Sequence, residues 1–473
     1  MRADTSQIQP SPSGNTPRQE SPFGISAETD LTTHIARQGY LAYTQNHDLS
    51  RLIRSATDPL HGVELNRANP LHRPIMDLID TPALQRMKHV SQLSAASWVY
   101  PDAVLPRFGH VVGSAHLTAE ILDHIQASAT DEIKKQINTW GPIVVAFAMT
   151  HDVGHIAPGS HVAHRVWFAG HKDTHEAMSH NILKHDTGFR SALNRTLGPK
   201  GAEMLDKVVA EDPSVPKWTW QIITTGGWNT DRGDWVRRDG TFCGVFYGHY
   251  DLPVIKKYLS ISKDGEFVIR ENGVSALEPF FTARAKLYQN VYRHPTCRIG
   301  ERMQELVGQR AKELFKEGSL GFCDDVMEQV LTANTGLEVP LNAVMEMTES
   351  WWQYHVSRWA RSDDLTLREL SNRVLRRQPF KHFELDEFNQ KMLHQLVESS
   401  GLDPKYFYVE MKAAPVNLKK DLADAVNVVR RDGSVVSLTE HSPFMAALAN
   451  LEQLPSDGFI AVPQDIFKTF APQ

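Results

Sequence analysis

The sequence of 473 residues predicts a mainly α-helical protein with a small α+β extension at its C-terminal end. Apolar residues recur at helical spacing over most of the chain, as in Leu71, Ile75 and Leu78, which share one face of a helix. Stretches with strand character are few and short. Hydrophobic residues make up 41% and charged residues 22% of the chain, a composition typical of globular proteins.

Composition also excludes several classes of protein. The longest apolar run, 143–149, is far shorter than the ~20 residues of a membrane-spanning helix. The N-terminal residues contain no apolar segment of the kind found in signal peptides. Three scattered cysteines indicate neither a disulfide framework nor a thiolate zinc site, so we expect an intracellular protein, cytoplasmic or nuclear. A net charge of −6 argues against general nucleic-acid binding.

Four segments follow one another along the chain. Residues 1–32 are rich in Pro, Ser and Gly and predict a disordered tail. Residues 33–205 predict a helical core, in which Thr81-Pro82 starts a helix with proline in its first turn. Residues 206–397 continue this domain and contain a hairpin around Asp264-Gly265. Residues 398–473 predict the α+β extension, with strands at 406–411, 425–429 and 434–438.

Histidine is unusually frequent, with 22 residues against 20 phenylalanines. His151 and Asp152 directly follow the apolar run 143–149, at the end of a predicted buried helix. Such a pair alone is weak evidence of function, because a hydrogen-bonded helix end accounts for it better. Together with His110 upstream and a distant aspartate, it forms an N/O ligand set that suits Mn²⁺, Mg²⁺, Fe, Zn²⁺ or Ni²⁺. Three aspartates compete for the last position: Asp231, Asp234 and Asp251.

Several short motifs occur in a fixed order between residues 58 and about 385. They read Asp58-Pro59-Leu60-His61-Gly62, Ile79 to Met87, Arg107-Phe108-Gly109-His110, Thr174-His175-Glu176, and Asp231 to Trp235 with Arg238-Asp239. This series resembles the HD-domain phosphohydrolases, and within them the branch of deoxynucleoside triphosphate triphosphohydrolases. The resemblance implies the helical HD fold, a divalent metal ion, a nucleotide substrate and assembly into homo-oligomers.

The resemblance also implies roles for individual residues. It favours Asp231 over its two rivals as the last metal ligand. The implied metal ligands are His110, His151, Asp152 and Asp231. The implied catalytic residues are His155, His161 and His175, and the implied substrate-binding residues are Gln92, Arg107, Arg232, Trp235 and Asp239, with Arg232 and Arg284 as candidates for the outer phosphates.

Two departures from the family pattern concern the substrate rather than the metal. The loop from His151 to His161 is one residue longer than usual, which makes His164 a rival of His161. Trp235 stands where the family often has Tyr, and indole offers only an N–H donor. From the resemblance we nevertheless expect hydrolysis of a (deoxy)nucleoside triphosphate to nucleoside and triphosphate. The alternatives are a phosphomonoesterase acting on a nucleoside monophosphate and a non-catalytic nucleotide sensor.

Overall fold

Helices dominate the computed structural model, which describes residues 53–159, 162–168, 175–224, 227–414, 422, 426–450 and 457–470. The prediction of a mainly α-helical fold with a small α+β part is confirmed. The predicted tail 1–32 and His161 lie outside the described residues. Among the helices of the described part, none is long and apolar enough to cross a membrane.

Helices occur along the whole described part of the chain. They are α1 (Arg73–Leu78), α2 (Pro82–Arg86), α3 (Arg107–Ser128), α4 (Asp131–Thr150), α5 (Val162–Trp167), α6 (His175–His185), α7 (Thr187–Leu197), α8 (Gly201–Val209), α9 (Trp218–Gln221), α10 (Thr230–Phe242), α11 (Leu252–Tyr258), α12 (Val274–Leu287), α13 (Pro295–Lys316), α14 (Asp325–Thr332), α15 (Leu341–Glu346), α16 (Glu349–Trp359), α17 (Leu365–Leu375), α18 (Glu387–Ser399), α19 (Pro404–Phe407), α20 (Leu438–His441) and α21 (Pro443–Asn450).

The strands form three small sheets. They are β1 (Ile53–Thr57), β2 (Gly62–Asn66), β3 (Leu259–Ile261), β4 (Phe267–Arg270), β5 (Lys381–Glu384), β6 (Val409–Met411), β7 (Asn427–Val429), β8 (Val435–Val436) and β9 (Phe459–Val462). β1 and β2 form an antiparallel hairpin, and the other sheets have the orders β3-β4-β7-β8 and β5-β9-β6. β4 and β7 are parallel, whereas the remaining pairs are antiparallel.

Helices α3 and α4 lie at the centre of the core and are packed against each other. Their apolar side chains, such as Val111 and Val144, are completely buried. The Thr130 side chain accepts a hydrogen bond from the Ile133 N–H and so begins α4. The Asn229 side chain caps α10 in the same way, and α10 packs across α3. This packing brings the start of α3, the end of α4 and the start of α10 to one place.

The predicted hairpin and strands agree only in part with the observed ones. The hairpin around Gly265 is present, with β3 and β4 on either side of the turn. The predicted strand 406–411 is wrong in its first half, because Pro404 in the first turn and the Asp403 cap make residues 404–407 helical. The third predicted strand is shorter than expected, since Ser437 caps a helix that starts at Leu438. The hairpin β1–β2 was not predicted.

Both larger sheets contain strands from each side of residue 397, where the sequence predicts the extension to begin. β4 pairs with β7, and β5 pairs with β9. The C-terminal strands therefore complete sheets whose other strands belong to the preceding segment. The domain boundary itself stays a prediction.

Candidate active site

Two imidazoles and two carboxylates converge where α3, α4 and α10 meet. The Nε2 atom of His110 lies 3.0 Å from Oδ1 of Asp231 and 3.6 Å from Oδ2 of Asp152. The Nε2 atom of His151 lies 3.4 Å from Oδ1 of Asp231 and 3.6 Å from Oδ1 of Asp152. His110 and Asp152 are buried, and Asp231 is partly exposed. We refer to these four residues as the HD cluster.

Hydrogen bonds on the outer sides of the two rings fix the tautomers. The His110 Nδ1–H donates to Asp234 Oδ2 at 2.8 Å, and the His151 Nδ1–H donates to the carbonyl oxygen of Ala148 at 2.8 Å. The Nε2 atoms of both rings are thereby directed into the cluster. The buried Nε2 of His151 has no hydrogen-bond partner among the described residues. This is the arrangement in which imidazole ligands are held for a metal ion, so the donor set fits a divalent cation.

The charges of the HD cluster are strongly interdependent. Burial lowers the pKa of His110, but hydrogen bonds to Asp231 and Asp234 outweigh this effect and raise it to about 10. For Asp231, burial raises the pKa, whereas the neighbouring imidazoles of His110 and His151 outweigh burial and hold it below its usual value. Without a cation, a proton on His110 compensates the carboxylates, and a bound cation would take over that role.

Of the three competing aspartates, only Asp231 faces the Nε2 atoms of both histidines. Asp234 is completely buried and bonds instead to the opposite ring nitrogen of His110. The side chain of Asp251 caps α11 by accepting a hydrogen bond from the Val254 N–H. This placement favours the assignment of Asp231 as the last ligand.

Two of the three predicted catalytic histidines are adjacent to the HD cluster. The rings of His155 and His175 are stacked with their centroids 4.0 Å apart. Their Nε2 atoms lie 3.5 and 3.8 Å from Oδ1 of Asp152. Burial lowers the pKa of both imidazoles, and the charge of Arg107 lowers that of His155 further. Both rings are therefore neutral near pH 7. His161, the third candidate, lies outside the described residues.

The predicted substrate residues Gln92 and Arg107 lie on two segments that a backbone bridge joins. An isolated β-bridge joins Ser91 to Pro106, and the Gln92 N–H donates to the carbonyl oxygen of Leu105. Arg107 Nη1 donates to Asp152 Oδ2 at 2.5 Å. Both side chains are buried, and the side-chain oxygen of Gln92 has no hydrogen-bond partner among the described residues.

The other predicted substrate residues are on α10. Trp235 and Asp239 follow Asp231 at four-residue intervals, which places all three on one face of the helix. The rings of Tyr288 and Tyr292 pack edge-on against Trp235. The Tyr292 hydroxyl donates to Asp239 Oδ2 at 2.6 Å.

Two arginines complete the surroundings of this face. The guanidinium of Arg284 lies over the Tyr288 ring at 4.7 Å and over the Trp235 ring at 6.0 Å. Arg232, which follows Asp231 on α10, donates to the carbonyl oxygen of Gly227 at 3.2 Å. Of the two predicted phosphate-binding arginines, Arg284 therefore lies against the aromatic rings, whereas Arg232 bonds to the segment before α10.

Several supporting residues received no role in the sequence analysis. Arg238 donates two hydrogen bonds to Asp234 and one to Asp58, which orients the carboxylate that holds His110. Arg86 donates to the carbonyl oxygens of His155 and Val153 and so fixes the loop after α4. Arg238, Asp58 and Arg86 lie in the quoted motifs, so the sequence indicated that they matter. The neighbouring residues in the sequence did not indicate which side chains or carbonyls they contact.

Comparison with known proteins agrees with this architecture. Residues 258–456 match the family model of the HD associated region. The uncharacterized protein YwfO of Bacillus subtilis is 28% identical over 72% of this chain and 78% of its own length. Human deoxynucleoside triphosphate triphosphohydrolase SAMHD1 is 26% identical over 52% of this chain, and the match spans only 42% of that protein.

The fold is also found among solved structures. A phosphohydrolase from Bacteroides thetaiotaomicron superimposes with a TM-score of 0.73 at 22% identity, covering 87% of this chain and all of that chain. The fold and the HD cluster thus define a protein that resembles the HD-domain phosphohydrolases. Within that class, this chain resembles the deoxynucleoside triphosphate triphosphohydrolase branch.

Proposed function

We propose that this protein is a metal-dependent phosphohydrolase that acts on a nucleotide, hydrolysing a (deoxy)nucleoside triphosphate to nucleoside and triphosphate. The observation that carries the proposal is the convergence of two imidazoles and two carboxylates in the HD cluster, with His110 Nε2 at 3.0 Å from Asp231 Oδ1. The resemblance to SAMHD1 supports the substrate class.

The HD cluster would hold the divalent ion, which supplies Lewis-acid stabilisation of charge on a phosphoryl oxygen when bound. Next to it, Arg107 keeps Asp152 ionised and orients it. We assign proton transfer to His175, whose side chain is 16% exposed and whose neutral ring can accept a proton from the attacking water and pass it to the leaving oxygen. The buried His155 ring holds the plane of His175 by stacking. Proton transfer by a positioned imidazole typically contributes about 10²–10⁴ in rate.

The nucleoside would lie along the face of α10 that carries Asp231, Trp235 and Asp239. The ring of Trp235 provides an apolar surface against which a base or sugar can stack, and Asp239 is placed to accept a hydrogen bond from a sugar hydroxyl. Arg232 and Arg284 would supply positive charge that stabilises the outer phosphates. Gln92 and Arg107 would contact the sugar or first phosphate; the side-chain oxygen of Gln92 has no hydrogen-bond partner among the described residues, which supports this role.

A product assay tests this proposal. The chelated protein would be incubated with Mn²⁺, Mg²⁺, Fe²⁺, Zn²⁺ or Ni²⁺ and a panel of nucleoside mono- and triphosphates. Tripolyphosphate released together with nucleoside supports the proposal. Release of orthophosphate from a monophosphate would contradict the proposal and indicate a phosphomonoesterase. Nucleotide binding without turnover would contradict it and indicate a nucleotide sensor. The Asp152→Asn variant, purified in parallel, controls for contaminating phosphatases.

Self-association is a separate part of the proposal and derives from the family resemblance. We expect a homo-oligomer in solution. Size-exclusion chromatography with light scattering, with and without nucleotide, measures the mass. A monomeric mass under both conditions would contradict the expected homo-oligomer, but it would not contradict the proposed activity.

A further inference from the structure

A second group of potential metal ligands lies apart from the HD cluster. One ligand atom from each of His61, His116 and Glu120 lies within 4.8 Å of the others. His116 and Glu120 are one turn apart on α3, and His61 comes from the turn between β1 and β2. His61 and His116 are 6% and 5% exposed, while Glu120 reaches the surface.

The hydrogen bond of His61 prepares this ring as a ligand. Its Nε2–H donates to Asp234 Oδ1 at 2.9 Å. This hydrogen bond leaves Nδ1 as the ring nitrogen that can act as a ligand. A carboxylate that accepts the distal N–H of an imidazole is the usual outer partner of a metal-bound histidine, because it fixes both the tautomer and the ring orientation.

His116 is a buried polar side chain without a polar partner at its Nδ1 atom. That atom has no hydrogen-bond partner among the described residues. It lies 3.7 Å from Glu120 Oε2, a separation suited to two ligands of one ion but too long for a hydrogen bond. Burial lowers the pKa of His116 to about 4, so the ring is a neutral donor at pH 7. A buried acceptor without a partner is costly to the fold, which calls for an explanation.

We propose that His61, His116 and Glu120 bind a second divalent cation of the Zn²⁺ class, held by two imidazoles and one carboxylate. Two nitrogen ligands and one oxygen ligand favour a borderline ion such as Zn²⁺ or Co²⁺ over Mg²⁺ or Ca²⁺. Solvent reaches the cluster on the Glu120 side, which leaves a fourth position for water.

Lys256 provides an internal competitor for this cation. Its Nζ lies 3.2 Å from Glu120 Oε2 and neutralises the carboxylate in the structure described here. The Lys256 side chain is partly exposed, so it can turn away when the ion enters. Removal of this ammonium should leave the affinity for Zn²⁺ unchanged or increase it.

The two clusters share the carboxylate of Asp234. One of its oxygens accepts from His110 of the HD cluster and the other accepts from His61. The second site is nevertheless independent of the proposed function, because its test measures metal binding and not turnover.

The experiment titrates Zn²⁺ alone into the chelated full-length chain, with a chromophoric chelator as competitor. The same titration with Co²⁺ reports the ligand geometry through its visible absorption. The reference protein is the His151→Ala/Asp152→Asn double variant, which lacks two HD-cluster ligands. In this background we expect one remaining Zn²⁺ per chain. Adding Glu120→Gln or His116→Gln should weaken that site at least about 100-fold, the upper limit reported for loss of an outer-shell partner.

A matched control is His124→Gln, which removes an exposed histidine from the same helix α3 and should not change the titration. Glu120 is partly exposed, so Glu120→Gln keeps the proposal testable even where His116→Gln fails to fold. Absence of Zn²⁺ binding in the double-variant background would overturn the proposal. Unchanged Zn²⁺ affinity in Glu120→Gln, or weaker affinity in Lys256→Gln, would also overturn it.

Discussion

Asp234 occupies a position in which a single carboxylate serves four donors. It is completely buried and accepts hydrogen bonds from His110 and His61 and two from Arg238. A buried carboxylate is tolerated only where donors of this kind surround it, and they hold its pKa well below the usual value. We therefore expect this side chain to orient the proposed ligands and not to bind the metal itself.

Replacing each of the competing aspartates by asparagine separates their roles. Asp231→Asn should abolish metal binding at the HD cluster, because it removes a carboxylate that faces both Nε2 atoms. Asp251→Asn should keep metal and cost at most about 1 kcal/mol of stability through its effect on the cap of α11. Metal content by elemental analysis distinguishes them. Equal metal loss in both variants would contradict the assignment.

His175 should affect turnover more than metal content. Its Nε2 lies 3.8 Å from Asp152 Oδ1 and the ring stacks on His155, so His175→Gln removes proton transfer while all four HD-cluster residues remain. We expect kcat to fall by about 10²–10⁴ with bound metal unchanged. The control is His180→Gln, on the same helix α6. Loss of metal in His175→Gln would make His175 a ligand instead.

Asp239 should make stability depend on pH. Burial raises the pKa of this carboxyl to about 7, despite the hydrogen bond from Tyr292. The folded state therefore binds more protons than the unfolded state between about pH 4 and pH 7, so stability falls as pH rises through this window. The loss approaches about 4 kcal/mol at its upper end.

Asp239→Asn should remove this fall while keeping an acceptor for Tyr292. Denaturant unfolding of both chelated proteins at a series of pH values measures how far the free energy of unfolding falls. Asp102→Asn, which removes an exposed carboxylate, is the matched control. A fall of the same size in Asp239→Asn would mean that other groups cause it.

The crossing of α3 and α10 depends on a glycine. A methyl group at Gly113 would overlap the Asp234 carboxylate and the Arg238 guanidinium. Gly113→Ala should therefore push α10 away from α3, weaken metal binding and destabilise the fold by roughly 1–3 kcal/mol, as overpacking typically does. Gly188→Ala, at an open position of α7, should instead be neutral or stabilise by up to about 1 kcal/mol. Thermal unfolding and metal titration compare the two, and unchanged metal affinity in Gly113→Ala would contradict this account.

At the level of the whole molecule, the C-terminal strands belong to sheets begun earlier in the chain. Val428 and Ile460 are completely buried, and β7 and β9 pair with β4 and β5. Removal of residues 398–473 should expose these sheet edges and destabilise the part that carries the HD cluster. We expect the shortened chain to aggregate or to melt well below the full chain. A shortened chain with unchanged melting and metal content would show instead that the predicted boundary separates independent units.

Much of the fold could be predicted from local sequence because its signals are local. Helical spacing of apolar residues, proline in the first turn of α2 and the Asp264-Gly265 turn each act within a few residues. The structure contains the helix and the hairpin that the last two of these signals predict. The hairpin β1–β2 was missed, and residues 404–407 were misassigned. A short strand such as β1 or β2 has too few residues for its apolar alternation to be recognised. At residues 404–407, the helix cap at Asp403 and the proline at Pro404 outweighed the apolar alternation that had suggested a strand.

The candidate site was predictable as a set of residues but not as an arrangement. The motifs contained His110, His151, Asp152 and Asp231, and α3, α4 and α10 bring these side chains together. Which nitrogen of each histidine points inward, and which of the three aspartates faces them, depends on contacts between distant segments. The bond between His61 and Asp234 spans 173 residues, and that between His110 and Asp234 spans 124. Pairings of this kind are decided by how helices pack, because no local interaction can specify them.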